Sequence, residues 1–215
     1  MAVTISGTDN FVLNADTLGT AVAGAFDYDG KVFYATPQGT QRGVVPGAQF
    51  FRLNADLVGA NATGAQSLYG VGVTLSASTV YAFEAVYALS KSAGTTSHNF
   101  GYGFGGTATL NNIGFLVVGA SQSSGFGPLA GGSTMVEQWS TSASNTNVSA
   151  GLTSAAYYHS ATIKGTVSVN AGGTFIPQYS CSAAPGGAYT TAAGSYFLIY
   201  PIGASGANVN VGTWA

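Results

Sequence analysis

Between Tyr158 and Gly203 the chain reads YHSATIKGTVSVNAGGTFIPQYSCSAAPGGAYTTAAGSYFLIYPIG. Three runs of β-branched and aromatic residues are parted by glycine-rich stretches at Asn170–Gly173 and Ala184–Gly187, the pattern of strands joined by tight connections. The last run, Tyr196–Tyr200, has no polar alternation. Side chains on a strand alternate between two faces, so Tyr196, Leu198 and Tyr200 point one way and Phe197 and Ile199 the other. Both faces are apolar, and both need cover. In a sandwich one face meets the core, and the other requires a neighbour such as a second copy of the chain.

Runs of the same kind recur from Gln49 onward, near 49–54, 69–76, 79–91, 97–104, 113–119, 134–141, 157–169, 174–181 and 194–202. They are short, separated by Gly, Ser, Asn and Pro, and show no 3.6-residue period. This predicts an all-β fold, a β-sandwich or jelly roll spanning 47–215. Thr79–Leu89 is the best-patterned run. Tyr81, Phe83, Tyr87 and Leu89 share one face and are expected in the core. Val80, Ala82, Glu84, Val86 and Ala88 share the other, a small-residue surface suited to close packing on a partner. Between 92 and 133 charge almost vanishes, yet Phe100, Tyr102 and Phe104 alternate with glycine, which predicts strand rather than disorder.

Residues 1–46 read as an N-terminal arm and small β-hairpin. Residues 1–22 are polar and uneven. Ala25–Tyr28 and Lys31–Ala35 flank Asp29-Gly30, a pair favoured where both turn residues take positive φ, and a third run, Gln41–Val45, is stopped by Pro46.

Charged residues form only 6% of the chain, against about a quarter in ordinary soluble proteins. A surface so poor in charge stays soluble when other subunits occupy much of it, so self-assembly is expected. The formal net charge of −2 and the scattered Lys31, Arg42, Arg52, Lys91 and Lys164 argue against nucleic acid as a partner. No apolar run is long enough to predict a membrane helix, and the polar residues after Met1 lack the pattern of a signal peptide. Cys181 stands alone, which leaves no internal disulfide.

Nothing in the chain predicts catalysis, a cofactor or a metal. Asp9, Asp16, Asp27, Asp29, Asp56, Glu84 and Glu137 show no spacing for paired acid–base work. Asp27 and Asp29 read as turn residues. His98 and His159 stand far apart without metal-ligand spacing. There is no G-x-S-x-G elbow, and Cys181 reads as a buried thiol. Gly101–Gly106 spells G-x-G-x-x-G, but no helix is predicted after it. Trp139 and Trp214 are candidates for surface recognition, although packing in a core or interface is the commoner role.

Two sets of segments carry a resemblance. Val22–Thr36 with Gln41-Arg42 resembles a short Gly-Ala…Tyr-Asp-Gly…Phe-Tyr element of fibre and structural proteins of tailed bacteriophages. The opening stretch with Gly70–Tyr81, Ala93–His98 and Phe104–Thr107 resembles virion proteins of the same phages, which are similar to trimeric jelly rolls of the tumour-necrosis-factor/C1q shape. The resemblance implies a non-enzymatic virion protein. Tyr81, Phe83, Tyr196, Leu198 and Tyr200 would then supply core and trimer interface of a homotrimer. For a chain expected to begin at its own Met1 and to have no shaft, it implies a capsid decoration (cement) protein that grips the major capsid protein through residues 1–22 and the small hairpin. The alternative is a tail-fibre tip that binds a host receptor through loops near 92–133 and 183–193. Both place the protein on the virion, assembled in the host cytoplasm, with no membrane, nucleic acid or cofactor involved.

Overall fold

A computed structural model of the protein describes residues 12–123, 125–128, 133–206, 208–212 and 214. The period-two patterning emerges as sixteen strands, with no helix among the described residues. In chain order they are β1 (Phe26–Tyr28), β2 (Phe33–Ala35), β3 (Gly43–Val45), β4 (Gln49–Arg52), β5 (Leu57–Val58), β6 (Gly64–Ser67), β7 (Val73–Leu75) and β8 (Thr79–Lys91). There follow β9 (His98–Gly105), β10 (Thr109–Gln122), β11 (Thr134–Ser140), β12 (Thr146–Leu152), β13 (Tyr157–Ala171), β14 (Gly173–Cys181), β15 (Thr190–Thr191) and β16 (Tyr196–Ala204).

Two sheets make the all-β sandwich. The larger has eight strands, running β11-β10-β13-β8. The far edge of β8 is shared, β16 with β4 along most of its length and β15 with β5 at its end. The smaller has five strands, β12-β9-β14, with β6 and β7 side by side on β14. From β7 to β15 the chain changes sheet at every step but one, the hairpin from β10 to β11.

The two inner faces meet through aromatic rings. Phe83 on β8 contacts Phe104 on β9 at 5.0 Å and Phe175 on β14 at 5.9 Å between ring centres, and Tyr87 meets Tyr102 at 4.7 Å. Such rings bury large areas and favour offset or edge-on contacts. Along β8 burial alternates without interruption, as the sequence pattern requires: Tyr81, Phe83, Tyr87 and Leu89 are buried, while Val80 to Ala88 on the other face are half-buried. On β16, Phe197 and Ile199 enter the core, and Tyr196, Leu198 and Tyr200 face outward. The glycines between Phe100, Tyr102 and Phe104 also find their reason. Residues 143–146 lie across the outer side of β9, where a Cβ on Gly103 would stand 2.8 Å from the Ala143 carbonyl oxygen.

Several expectations are corrected. β6 (Gly64–Ser67) and β12 (Thr146–Leu152) were not predicted, because small polar residues carry no strand signal; both are edge strands recruited by β14 and β9. β10 extends well beyond 113–119, since its ladder with the long β13 carries it across Asn111, Asn112 and Gly114.

In the N-terminal unit, β1, β2 and β3 form a three-stranded antiparallel sheet. Its first connection is not a two-residue turn. Tyr28 pairs with Phe33, so residues 29–32 form the loop and only Gly30 takes positive φ. The Asp29 carboxylate accepts hydrogen bonds from the Lys31 and Val32 amides at 2.8 and 2.7 Å, an Asx turn that makes a second left-handed residue unnecessary. Lys31 reaches the sandwich, donating to the Ala77 carbonyl at 3.2 Å. Residues 1–11 of the predicted arm lie outside the described residues.

Candidate functional site on the outer face of the large sheet

Six strands, β4-β16-β8-β13-β10-β11, lie side by side, and the ladder registers connect residues across the whole outer face. One row runs Phe50, Leu198, Glu84, Lys164, Leu116, Trp139. The next runs Arg52, Tyr196, Val86, Thr162, Val118, Glu137. Residues directly opposite one another on neighbouring strands share a face. This surface is therefore a largely apolar band with charges at its centre and at its two edges.

The central charges neutralise each other. Lys164 Nζ lies 2.8 Å from Glu84 Oε2, and the Tyr196 hydroxyl donates to Glu84 Oε1 at 2.5 Å. These two donors hold the Glu84 carboxyl below its ordinary pKa, and the same bond raises that of Tyr196. A half-exposed pair of this kind adds little to stability. Its consequence is that an apolar partner covering the centre of the face meets no unbalanced charge, while Arg52 and Glu137 remain charged at the edges. Toward one edge the Trp139 indole lies over Gly114, where a Cβ would stand 2.8 Å from Cζ2. Trp139 remains 62% exposed and Phe50, at the opposite edge, 59% exposed. The exposed apolar side chains thus stand toward the two edges, Phe50 on one side and Val118 and Trp139 on the other, with half-buried residues and the ion pair between them. Exposed apolar patches mark candidate interaction sites.

The titratable groups that might do chemistry are instead tied into the fold. His98 Nε2 is 2.8 Å from the Tyr189 hydroxyl, and its Nδ1 is 2.8 Å from the Thr96 carbonyl. His159 is fully buried with Nδ1 2.5 Å from the Tyr102 hydroxyl, and burial pushes its imidazole down to about 4. Cys181 is buried, and its thiol is pushed up to about 11, which disfavours a thiolate at neutral pH. Lys91, 2% exposed, donates to the carbonyls of Ser154 at 2.5 Å and Gly94 at 2.8 Å. Asp27 pairs with Arg42 at 3.1 Å, and Asp56 accepts from the Ala193 amide at 2.8 Å. Among the described residues no three His, Cys, Asp or Glu side chains converge as a metal centre requires.

The structure divides the residues singled out in the sequence. Tyr81 and Phe83 are core, whereas Tyr196, Leu198 and Tyr200 stand together on the outer face. Trp139, whose commoner role would be packing, stands on the surface. Leu116 and Val118 of β10 were missed as partners of this face; their alternation with Phe115 and Val117 was legible, but not which side lay outward. Most of 92–133 is built into β9 and β10. The 183–193 segment is likewise anchored, its Gly186 amide donating to Asn61 Oδ1 at 2.9 Å and its Tyr189 carbonyl accepting from Gly59. No protein-family model matches this chain, and no curated protein matches it.

Proposed function

We propose that the chain is a non-enzymatic structural protein of a bacteriophage particle, a decoration (cement) subunit that assembles with itself as a homotrimer and seats on the head lattice. The observation that carries the reading is the outer face of the large sheet, a largely apolar band exposed toward its edges with its central ion pair already balanced. A charge content of 6% fits a surface that other subunits cover. The path of the chain supports a jelly-roll reading of the sandwich: β11-β10-β13-β8 and β12-β9-β14-β6 are filled by repeated crossing between sheets, with one hairpin. The resemblance of Val22–Thr36 to phage structural proteins supplies the particle. A lattice repeats each subunit contact many times, so modest contacts suffice through avidity.

Two measurements test this. Light scattering on the purified chain should return a trimer mass. Antibodies raised against the chain should label phage heads in electron micrographs. Label confined to the tail end would replace the cement role with the fibre-tip one, and absence of label would remove the virion assignment.

A further inference from the structure

The eight-stranded sheet has two open edges among the described residues, the four-residue β4 and the seven-residue β11. Among the described residues β4 pairs only with β16, and β11 only with β10. Exposed edges invite pairing, and proteins that must avoid it use short or charged edge strands, Pro, a bulge or an inward-pointing charge. β4 reads Gln-Phe-Phe-Arg and β11 reads Thr-Met-Val-Glu-Gln-Trp-Ser, and both ladders are free of register shifts. Neither edge carries Pro, Lys, a bulge or an inward-pointing charge; the charges they do carry, Arg52 and Glu137, are opposite in sign.

The edges are also complementary. Arg52 on β4 and Glu137 on β11 are exposed, lie in the same row on the same face, and make no ion pair among the described residues. In the adjoining row Phe50 and Trp139 occupy the same two edges. Five successive antiparallel ladders separate β4 from β11, so the two strands run in opposite directions. A second copy set beside the first, with its sheet facing the same way, therefore brings β4 antiparallel to β11. In an antiparallel ladder each step forward on one strand is a step back on the other. The register that sets Arg52 against Glu137 thus also sets Phe50 against Trp139.

We infer that copies of this chain join edge to edge, β4 of one pairing with β11 of the next in the register Arg52–Glu137 and Phe50–Trp139, so that the large sheet continues through the assembly. The contact is heterologous: it uses two different patches, leaves one of each free at the ends of any open chain, and is satisfied at every subunit only when a ring closes. The inference rests on the self-assembly part of the function proposed above, and it adds the two sheet edges to the outer face as surfaces that carry it.

Charge reversal tests it, read by sedimentation equilibrium of the full chain, with circular dichroism confirming the fold. Arg52→Glu and Glu137→Arg each put like charges in opposition and should weaken assembly at least tenfold. The double variant Arg52→Glu/Glu137→Arg restores the attraction and should recover assembly to within about threefold of wild type. Single variants that assemble normally, or a double variant that fails to recover, would overturn the edge register while leaving self-assembly through the sheet face intact. A wild-type chain that is monomeric at every concentration would remove self-assembly itself, and this inference with it.

Discussion

The Tyr102 hydroxyl lies 2.5 Å from Nδ1 of His159, deep between the two sheets, and the other ring nitrogen of His159 has no partner among the described residues. A neutral imidazole fits there and a charged one does not, because nothing offsets the second positive N–H. The folded value of about 4 lies below the ordinary 6.5, so between these limits the unfolded chain binds a proton that the folded chain refuses. Stability is full above pH 6.5, falls as the pH drops through that window, and stops falling below about 4. The whole effect is about 3 kcal/mol. Urea unfolding at pH 7 and pH 4.5 should show this loss in the wild type and a much smaller one in His159→Gln. Equal losses in both would refute a buried neutral His159.

Lys91 is a buried cation with backbone oxygens for company. Its Nζ donates to Ser154 and Gly94 and lies 3.4 and 3.3 Å from the carbonyls of Ala93 and Ala155, tying the loops after β8 and β12 together. Lys91→Met removes the donor and leaves those oxygens unpaired, at a cost of about 2–4 kcal/mol. Lys91→Arg should not rescue it, since a planar fork does not fit a cage made for a point charge. A loss below about 1 kcal/mol in chemical denaturation would show that the cage contributes little.

Neighbouring residues on β16 should separate folding from assembly. Phe197 sits in the core and Leu198 on the outer face. Phe197→Asp buries an unpaired charge and should prevent folding, a penalty of several kcal/mol. Leu198→Asp should leave the melting temperature within a few degrees of wild type while weakening self-association at least tenfold. Unchanged association in Leu198→Asp would place the interface elsewhere.

Two glycines make a similar contrast. At Gly103 an added side chain meets the backbone of Ala143 and Asn145, which cannot yield, so Gly103→Val should cost more than about 2 kcal/mol. At Gly114 the obstacle is the end of the exposed Trp139 ring, which can swing away. Gly114→Ala should therefore leave thermal stability nearly unchanged but shift the tryptophan emission and weaken association. A strongly destabilised Gly114→Ala would mean that the indole is fixed in place.

Local patterning determined much of this protein. The alternation in Thr79–Lys91, Phe100–Phe104 and Tyr196–Tyr200 assigned strands and separated Tyr81 and Phe83 from the half-buried side, because period-two geometry is intrinsic to an extended chain. Burial of Cys181 and the place of Asp29 in a turn were legible from residue type alone, although the turn is not the two-residue one expected. What remained was decided by pairing between distant segments. β6 and β12 are strands only because β14 and β9 offer them edges, and the glycines of β9 make sense only once residues 143–146 lie against them. His159 and Tyr102, 57 residues apart, meet only when the two sheets close on one another. The candidate site belongs wholly to this second kind. Phe50, Leu198, Glu84, Lys164, Leu116 and Trp139 come from six different strands, and no window of sequence contains more than one register of that row. Periodicity states that a side chain has a face. Only the order and register of strands in the folded sheet state which faces join.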